Sequence, residues 1–249
     1  MELVLDADEF PRAQVNRAWS HFFGYGLTKP VDDMGPHNPP SHPDLLDELA
    51  QWFSASGYDL KELYRAIVLS RAYRLSSRIT SGNVDDNPEL GRPPMFSRFY
   101  LRQMQAEQLY ESLLTATQAE ATAAGSDRDA VKSRWLRQIT TAFGNDEQTE
   151  ACVFNGTIPQ ALMMMNGELV RRACRIDSGS FLDSVATDAQ LSNREKITYL
   201  YLAALSRPPG KDERAICNQL LAARSGDVVA ALQDVWWAVL NSNEFILIH

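Results

Sequence analysis

Apolar residues recur at intervals of three and four along most of the chain, starting with Val15, Ala18, Trp19, Phe22 and Phe23 on one helical face. Gly24-Tyr25-Gly26 follows, and glycine after a periodic run stops a helix, so the spacing predicts a first helix over about 12–23. Ser41 as a cap and Pro43 in the first turn open a second, with Leu45, Leu46, Leu49, Trp52 and Phe53 inward and Gly57 as its end. Asp59 caps a third, with Glu62 at the capping-box position and Leu60, Leu63, Tyr64, Ile67 and Val68 as its apolar stripe.

Helical spacing resumes over about 102–124, where Ala106, Leu109, Tyr110, Leu113, Leu114 and Thr117 share a side, and over about 127–143 after Gly125. A further helix is expected over 158–174, with Leu162, Met163, Met165, Leu169 and Val170 in the core and Gly167 as its weak point. Others fit 192–205, 211–224 and 227–241, the last capped by Asp227 and rich in Val228, Val229, Leu232, Val235, Trp236, Val239 and Leu240. Trp236 and Trp237 are adjacent, so they cannot both point inward, and one is expected at an interface. No run alternates as a strand does. The pattern therefore predicts an all-α, multi-helix globular bundle of about eight to ten helices with long loops. It is read as one domain over 1–249, with sub-lobes at 1–78 and 95–249. Residues 79–94 lie in a stretch rich in Ser, Asn, Asp, Gly and Pro and are expected to connect them.

Composition agrees with a folded chain: 45% of the 249 residues are hydrophobic and 22% charged. A net charge of -8 argues against a nucleic-acid partner, which needs a basic stripe. Arg171, Arg172 and Arg175 are the densest basic group and are expected as a solvated surface. Cys152, Cys174 and Cys217 show no metal or haem spacing and are expected as free, buried thiols. No apolar run approaches the roughly 20 residues of a spanning helix, and the acidic opening MELVLDADEF is unlike a secretory signal.

Four long motifs carry a resemblance: Asn16-Arg17-Ala18-Trp19, Gly24-Tyr25-Gly26-Leu27, the loop from Asp32 to Pro43, and Ser70, Tyr73, Ser76 and Ser77. With FSRFYLRQMQAEQLYESLLTAT, PQALMMMNGELV and ALQDVWWAVLNSNEF downstream, the chain resembles the planctomycete domain of unknown function (PSD type) found in cytochrome-c-associated exported proteins. The resemblance implies a periplasmic or extracytoplasmic setting and an upstream or partner domain of the same protein system as partner. It does not carry haem to this chain, because no residue matches an attachment motif; no cofactor is expected here. The entry ADEFPRAQVNR departs from the family in lacking Asn-Pro ahead of the first helix.

The candidate polar site comprises Asn16, Arg17, His21, Asp32, Asp33, His37, Asn38, Ser41 and His42, in the first helix and the segment LTKPVDDMGPHNPPSHP with its five prolines. Such a segment cannot be regular helix. His21, His37 and His42 with an aspartate have the donor chemistry for zinc or iron, but the spacing of five between His37 and His42 fits no standard motif, and no metal is assigned. Asp32 and Asp33 are candidates for acid and base in glycoside cleavage, against which stands their adjacency. The stronger expectation is pairing: Arg17 with Asp32 or Asp33, and Arg102 with Glu107 or another acid, holding the loop to the helices. Ser70, Tyr73, Ser76 and Ser77 are expected as turn and capping groups. The first functional expectation is thus a non-catalytic scaffold or interaction domain. The alternative is a hydrolase or a sugar- or metal-binding protein using the Asp32–His42 loop, with polysaccharide as its partner.

Overall fold

The first helical pattern reaches further back than its apolar residues require. Helix α1 spans Glu9–Phe23, with Pro11 in its opening turn, where a missing N–H costs nothing. The computed structural model describes residues 9–122, 128–144, 156–176 and 179–248. It is all-α; the strand among the described residues amounts to the dipeptides Arg102–Gln103 and Leu247–Ile248. The described residues divide into two units, 9–103 and 104–248.

In the N-terminal unit α1 packs against both α2 (Pro43–Ala55) and α3 (Leu60–Leu69). Val15, Ala18, Trp19 and Phe23 of α1 meet Leu46, Ala50 and Phe53 of α2 and Leu63 and Ile67 of α3 in its core. Trp19 stacks on Phe23 with centroids 4.4 Å apart, and Phe96 stands edge-on to both at 5.3 Å. Offset and edge contacts of this kind satisfy the ring quadrupoles while burying large apolar areas.

Four expectations for this unit are corrected. Ser41 does not cap α2: its Oγ lies 3.0 Å from His42 Nδ1, His42 occupies the cap position, and Pro43 starts the helix. Asp59 does cap α3, accepting from the N–H groups of Lys61 and Glu62 at 2.9 and 3.2 Å, but Glu62 turns to Arg65 at 2.8 Å. Leu60, Tyr64 and Trp52 are exposed, because Leu63 and Ile67, one turn apart, already fill the inward face of α3, and Phe53 takes the inward place beside Trp52. Residues 79–94, expected as a connection, belong to this unit and are folded onto it through Asp86.

The C-terminal unit holds α4 (Ala106–Thr117), α5 (Arg128–Phe143), α6 (Ile158–Asn166), α7 (Glu168–Ala173) and α8 (Phe181–Thr187). It continues through α9 (Asn193–Leu205), α10 (Lys211–Ala223), α11 (Val228–Leu240) and α12 (Asn243–Ile246). Helix α11 is its hub, packing on α8, α9 and α10 with Leu232, Val235, Trp236, Val239 and Leu240 buried. Asp227 caps it by accepting from Ala230 N at 3.0 Å. Arg207 ties α10 to α12: its guanidinium donates to both carboxylate oxygens of Glu213 and of Glu244, at 2.6–2.8 Å.

Here too the periodic reading is adjusted. The helix expected over 102–124 is shorter, since Gln118 turns left-handed (φ 49°) and a 3-10 turn, Ala119–Thr122, follows; Gly125 and Asp127 lie outside the described residues. The 158–174 helix is two helices broken at Gly167, where a Cβ would collide with the Met163 carbonyl and sulfur. Within α6, Met164 is buried while Leu162 and Met165 face out. Helices α8 and α12 are too short to show a period; Ser180 and Ser242 cap them. Arg172 is not simply solvated: it donates to the Thr122 carbonyl at 3.0 Å and lies over the Trp135 ring at 5.9 Å. Cys217 is buried and free. Cys174 is free as well, its thiol pushed by burial up to about 12; Cys152 lies outside the described residues. No helix among the described residues is long and apolar enough to cross a membrane.

The two adjacent tryptophans separate as geometry requires: Trp236 is fully buried and Trp237 is 38% exposed. Trp236→Ala is expected to cost about 3–5 kcal/mol in urea unfolding, from lost burial and the cavity left behind. Trp237→Ala is expected to cost less than half as much; equal costs in the two variants would contradict this packing.

Candidate functional site

The polar corner is built outward from Asn16. Its place on α1, one residue after Val15 and three before Trp19, puts it on the buried side with no exposed surface. Its Nδ2 donates to Thr28 Oγ1 at 2.8 Å and to the Val31 carbonyl at 2.7 Å; its Oδ1 accepts from Leu27 N at 2.6 Å and Thr28 N at 3.4 Å. Both donors and both acceptor sites of the amide are used, the most an asparagine can offer. Gly24, at φ 81°, ends α1 in the left-handed conformation that glycine adopts without strain. Gly26 is needed for a different reason, because a Cβ there would stand 2.9 Å from Asn16 Oδ1 and 2.9 Å from the Thr28 carbonyl.

The loop beyond is held by its own side chains. Leu27, buried, offers its carbonyl to Ser41 N at 2.7 Å, which brings the end of the proline-rich stretch back to its beginning. Asp32 accepts from Arg17 Nε at 2.7 Å, a pair with both side chains more than half exposed. Asp33 lies 2.9 Å from His37 Nε2 and accepts from Gly35 N at 3.3 Å; the His37 bond first, then the Gly35 N–H, hold its carboxyl below the ordinary range. Asn38 Nδ2 donates to the Asp33 carbonyl at 2.7 Å.

The nine expected residues therefore fall into separate groups. Asn16 grips the turn, Arg17 meets Asp32, Asp33 joins His37 and Asn38, and Ser41 meets His42. The half-buried His42 ring packs near Phe96 at 5.7 Å. His21 makes no hydrogen bond or ion pair with the loop among the described residues. Its outer edge is in solvent; the protein around the rest of its ring, and then the Arg102 charge, hold its pKa below the ordinary imidazole value. The two aspartates are bound to different partners, so their carboxylates do not share one. Among the described residues no three side chains of His, Cys, Asp or Glu are grouped to hold a metal ion. Ser70 and Ser76 accept from the backbone N–H groups of Tyr73 and Arg78 as turn residues do.

A second buried polar centre escaped the sequence reading. Asp86 is 4% exposed and accepts from Met95 N at 3.0 Å, Ser97 N at 2.9 Å, Ser97 Oγ at 2.7 Å and the Tyr100 hydroxyl. The Tyr100 oxygen in turn accepts from Phe96 N at 2.9 Å. Burial by itself would raise the Asp86 pKa, but the four donors outweigh it and leave the carboxyl below its usual range, while burial and Asp86 push the Tyr100 hydroxyl up. The available signal was the aromatic density of Phe96, Phe99 and Tyr100 immediately after a stretch composed like a linker.

The two kinds of contact predict different costs. Asn16→Ala leaves Leu27 N and the Val31 carbonyl without this partner in a dry site and is expected to destabilise the protein by about 2–4 kcal/mol. Asp32→Ala, removing an exposed pair, should cost less than about 1 kcal/mol. Urea midpoints of the two variants check the ranking. Asp86 adds a pH dependence. Its folded pKa lies below its unfolded one, so its contribution is complete above the unfolded value, roughly pH 4, and is lost as pH falls through the folded one. Wild type should lose stability more steeply than Asp86→Asn on acidification from about pH 5 to 2.5; parallel curves would contradict the assignment.

We found no match to this chain among curated proteins or among solved structures. The family model PSD1, described as a protein of unknown function (DUF1553), matches residues 6–221, a stretch that begins ahead of α1, contains the whole polar corner and the Asp86 centre, and ends within α10. On a match of that extent, the chain belongs to the PSD1 (DUF1553) family.

Proposed function

We propose that this chain is a non-catalytic interaction domain of an extracytoplasmic protein, holding an upstream or partner domain of the same protein system. The observation that supports this reading is the way the polar corner consumes its own hydrogen-bonding capacity. A general acid, base or nucleophile has to present a lone pair or proton to substrate. Asn16 and Asp86 are buried with several bonds each to the backbone and to neighbouring hydroxyls, which is how a loop is fixed in shape. Asp32, Asp33 and His37 are surface groups engaged in short-range pairs. A rigid corner of this sort suits a surface that is recognised, since a preorganised loop spends little conformational entropy on binding. The extracytoplasmic setting and the association with cytochrome-c-type neighbours rest on the family resemblance.

Proximity labelling with this chain in a host that makes it, under conditions of normal expression, is expected to mark a recurring partner domain. Marking should survive Asp32→Ala and Asp33→Ala but fall with Asn16→Ala, which loosens the corner. Turnover of any member of a polysaccharide panel that disappears in Asp32→Ala or Asp33→Ala would replace this reading with the hydrolase one.

A further inference from the structure

Helix α6 carries its apolar stripe on the wrong side for a core. Ile158, Leu162 and Met165 recur at intervals of four and three residues, as on one helical face, yet they are 77%, 55% and 46% exposed. Trp237 of α11 stands at the same end, its indole N–H donating to the Met165 carbonyl at 3.3 Å. Beside this stripe α5 and α6 enclose an open groove of about 710 Å³. Helix α6 lines it with Pro159, Leu162, Met163 and Asn166, the i, i+3, i+4, i+7 set, and α5 lines it with Arg137 and Thr141, one turn apart. Two helices that turn such rows toward a common trough offer the ridges into which a third helix packs.

Charge selects what that helix carries. The lining includes Arg134 and Arg137 and no carboxylate. Arg134 is engaged by Glu168 at 2.7 Å, whereas the exposed Arg137 guanidinium has no hydrogen bond or ion pair among the described residues. This is a local positive edge on a chain of net charge -8. A second copy pairing by two-fold symmetry would set this edge against itself, with no acid in the lining to answer it.

We propose that the α5–α6 groove binds an amphipathic helix of a partner protein, its apolar face on Leu162 and Met163 and an acidic flank against Arg137. The proposal rests on the interaction-domain reading and names the chemistry of the partner for it. Helix-in-groove recognition reads anchors at i, i+3, i+4 and i+7 on the docking helix, and the acidic flank supplies orientation and selectivity.

The test is selection of phage-displayed peptides of about 16 residues, roughly 24 Å of helix, with leucine fixed at helical spacing and the other positions randomised, on the immobilised full chain. Enriched peptides are expected to carry Asp or Glu along one flank and to fail to enrich on Leu162→Glu, a surface change whose urea midpoint should match wild type. A synthetic winner should lose roughly tenfold or more in affinity for Arg137→Glu and recover part of it when its acids are changed to lysine. Winners that are basic, winners that bind Leu162→Glu equally, or no enrichment would overturn the proposal. So would a concentration-dependent dimer in sedimentation that Leu162→Glu dissolves, which would give the groove to a second copy. A null selection leaves the proximity-labelling result intact, so the two readings fail separately.

Discussion

Asn16 is a neutral side chain in a dry place, and that is why it can organise the loop after α1. Four hydrogen bonds from one amide close the turn from Leu27 to Val31 onto the helix, at donor–acceptor distances from 2.6 to 3.4 Å. A carboxylate in the same position would lose both donors and place a charge where water does not reach. Gly26 lets the backbone come within reach of the amide, and Leu27, seated in the core, passes the constraint to Ser41 through its carbonyl. The start of α2, Pro43, therefore takes its place from a side chain on α1, Asn16, far from it along the chain.

Asp86 repeats the device with a charged group, and the comparison shows what burial demands of each. The asparagine balances two donors against an acceptor with two lone pairs, while the aspartate accepts throughout and needs two backbone N–H groups and two hydroxyls to offset its desolvation. Both centres fold stretches that are short of helix into a defined form around an aromatic core. The surface pairs of Arg17 with Asp32 and of Asp33 with His37 decorate that form in a high-dielectric setting, where screening leaves them little energy.

In the C-terminal unit the organising force is apolar. Helix α11 buries one complete side in a sleeve formed by α8, α9 and α10, while α6, broken from α7 at Gly167, keeps its own apolar row in solvent. This exposed row stands beside Arg137, which has no counter-ion among the described residues, whereas Arg207, Arg224 and Lys132 meet carboxylates.

From its residue pattern alone the chain announced an all-α fold, the positions of most helices, the caps at Asp59 and Asp227 and a pairing of Arg17 with one of Asp32 and Asp33, because these depend on periodicity and on groups close in sequence or strongly complementary in charge; which aspartate it is, Asp32, was decided by the structure. The split of the 158–174 helix, the outward turn of Leu162 and Met165, the exposure of Tyr64 and Trp52, and the Asp86 centre were decided only in three dimensions. Each depends on which of several chemically acceptable neighbours a residue meets once the helices pack: a glycine's missing Cβ against a methionine sulfur, or a carboxylate against hydroxyls of Ser97 and Tyr100, 11 and 14 residues away. Spacing along a chain says which residues share a face, and packing alone says which faces find a partner.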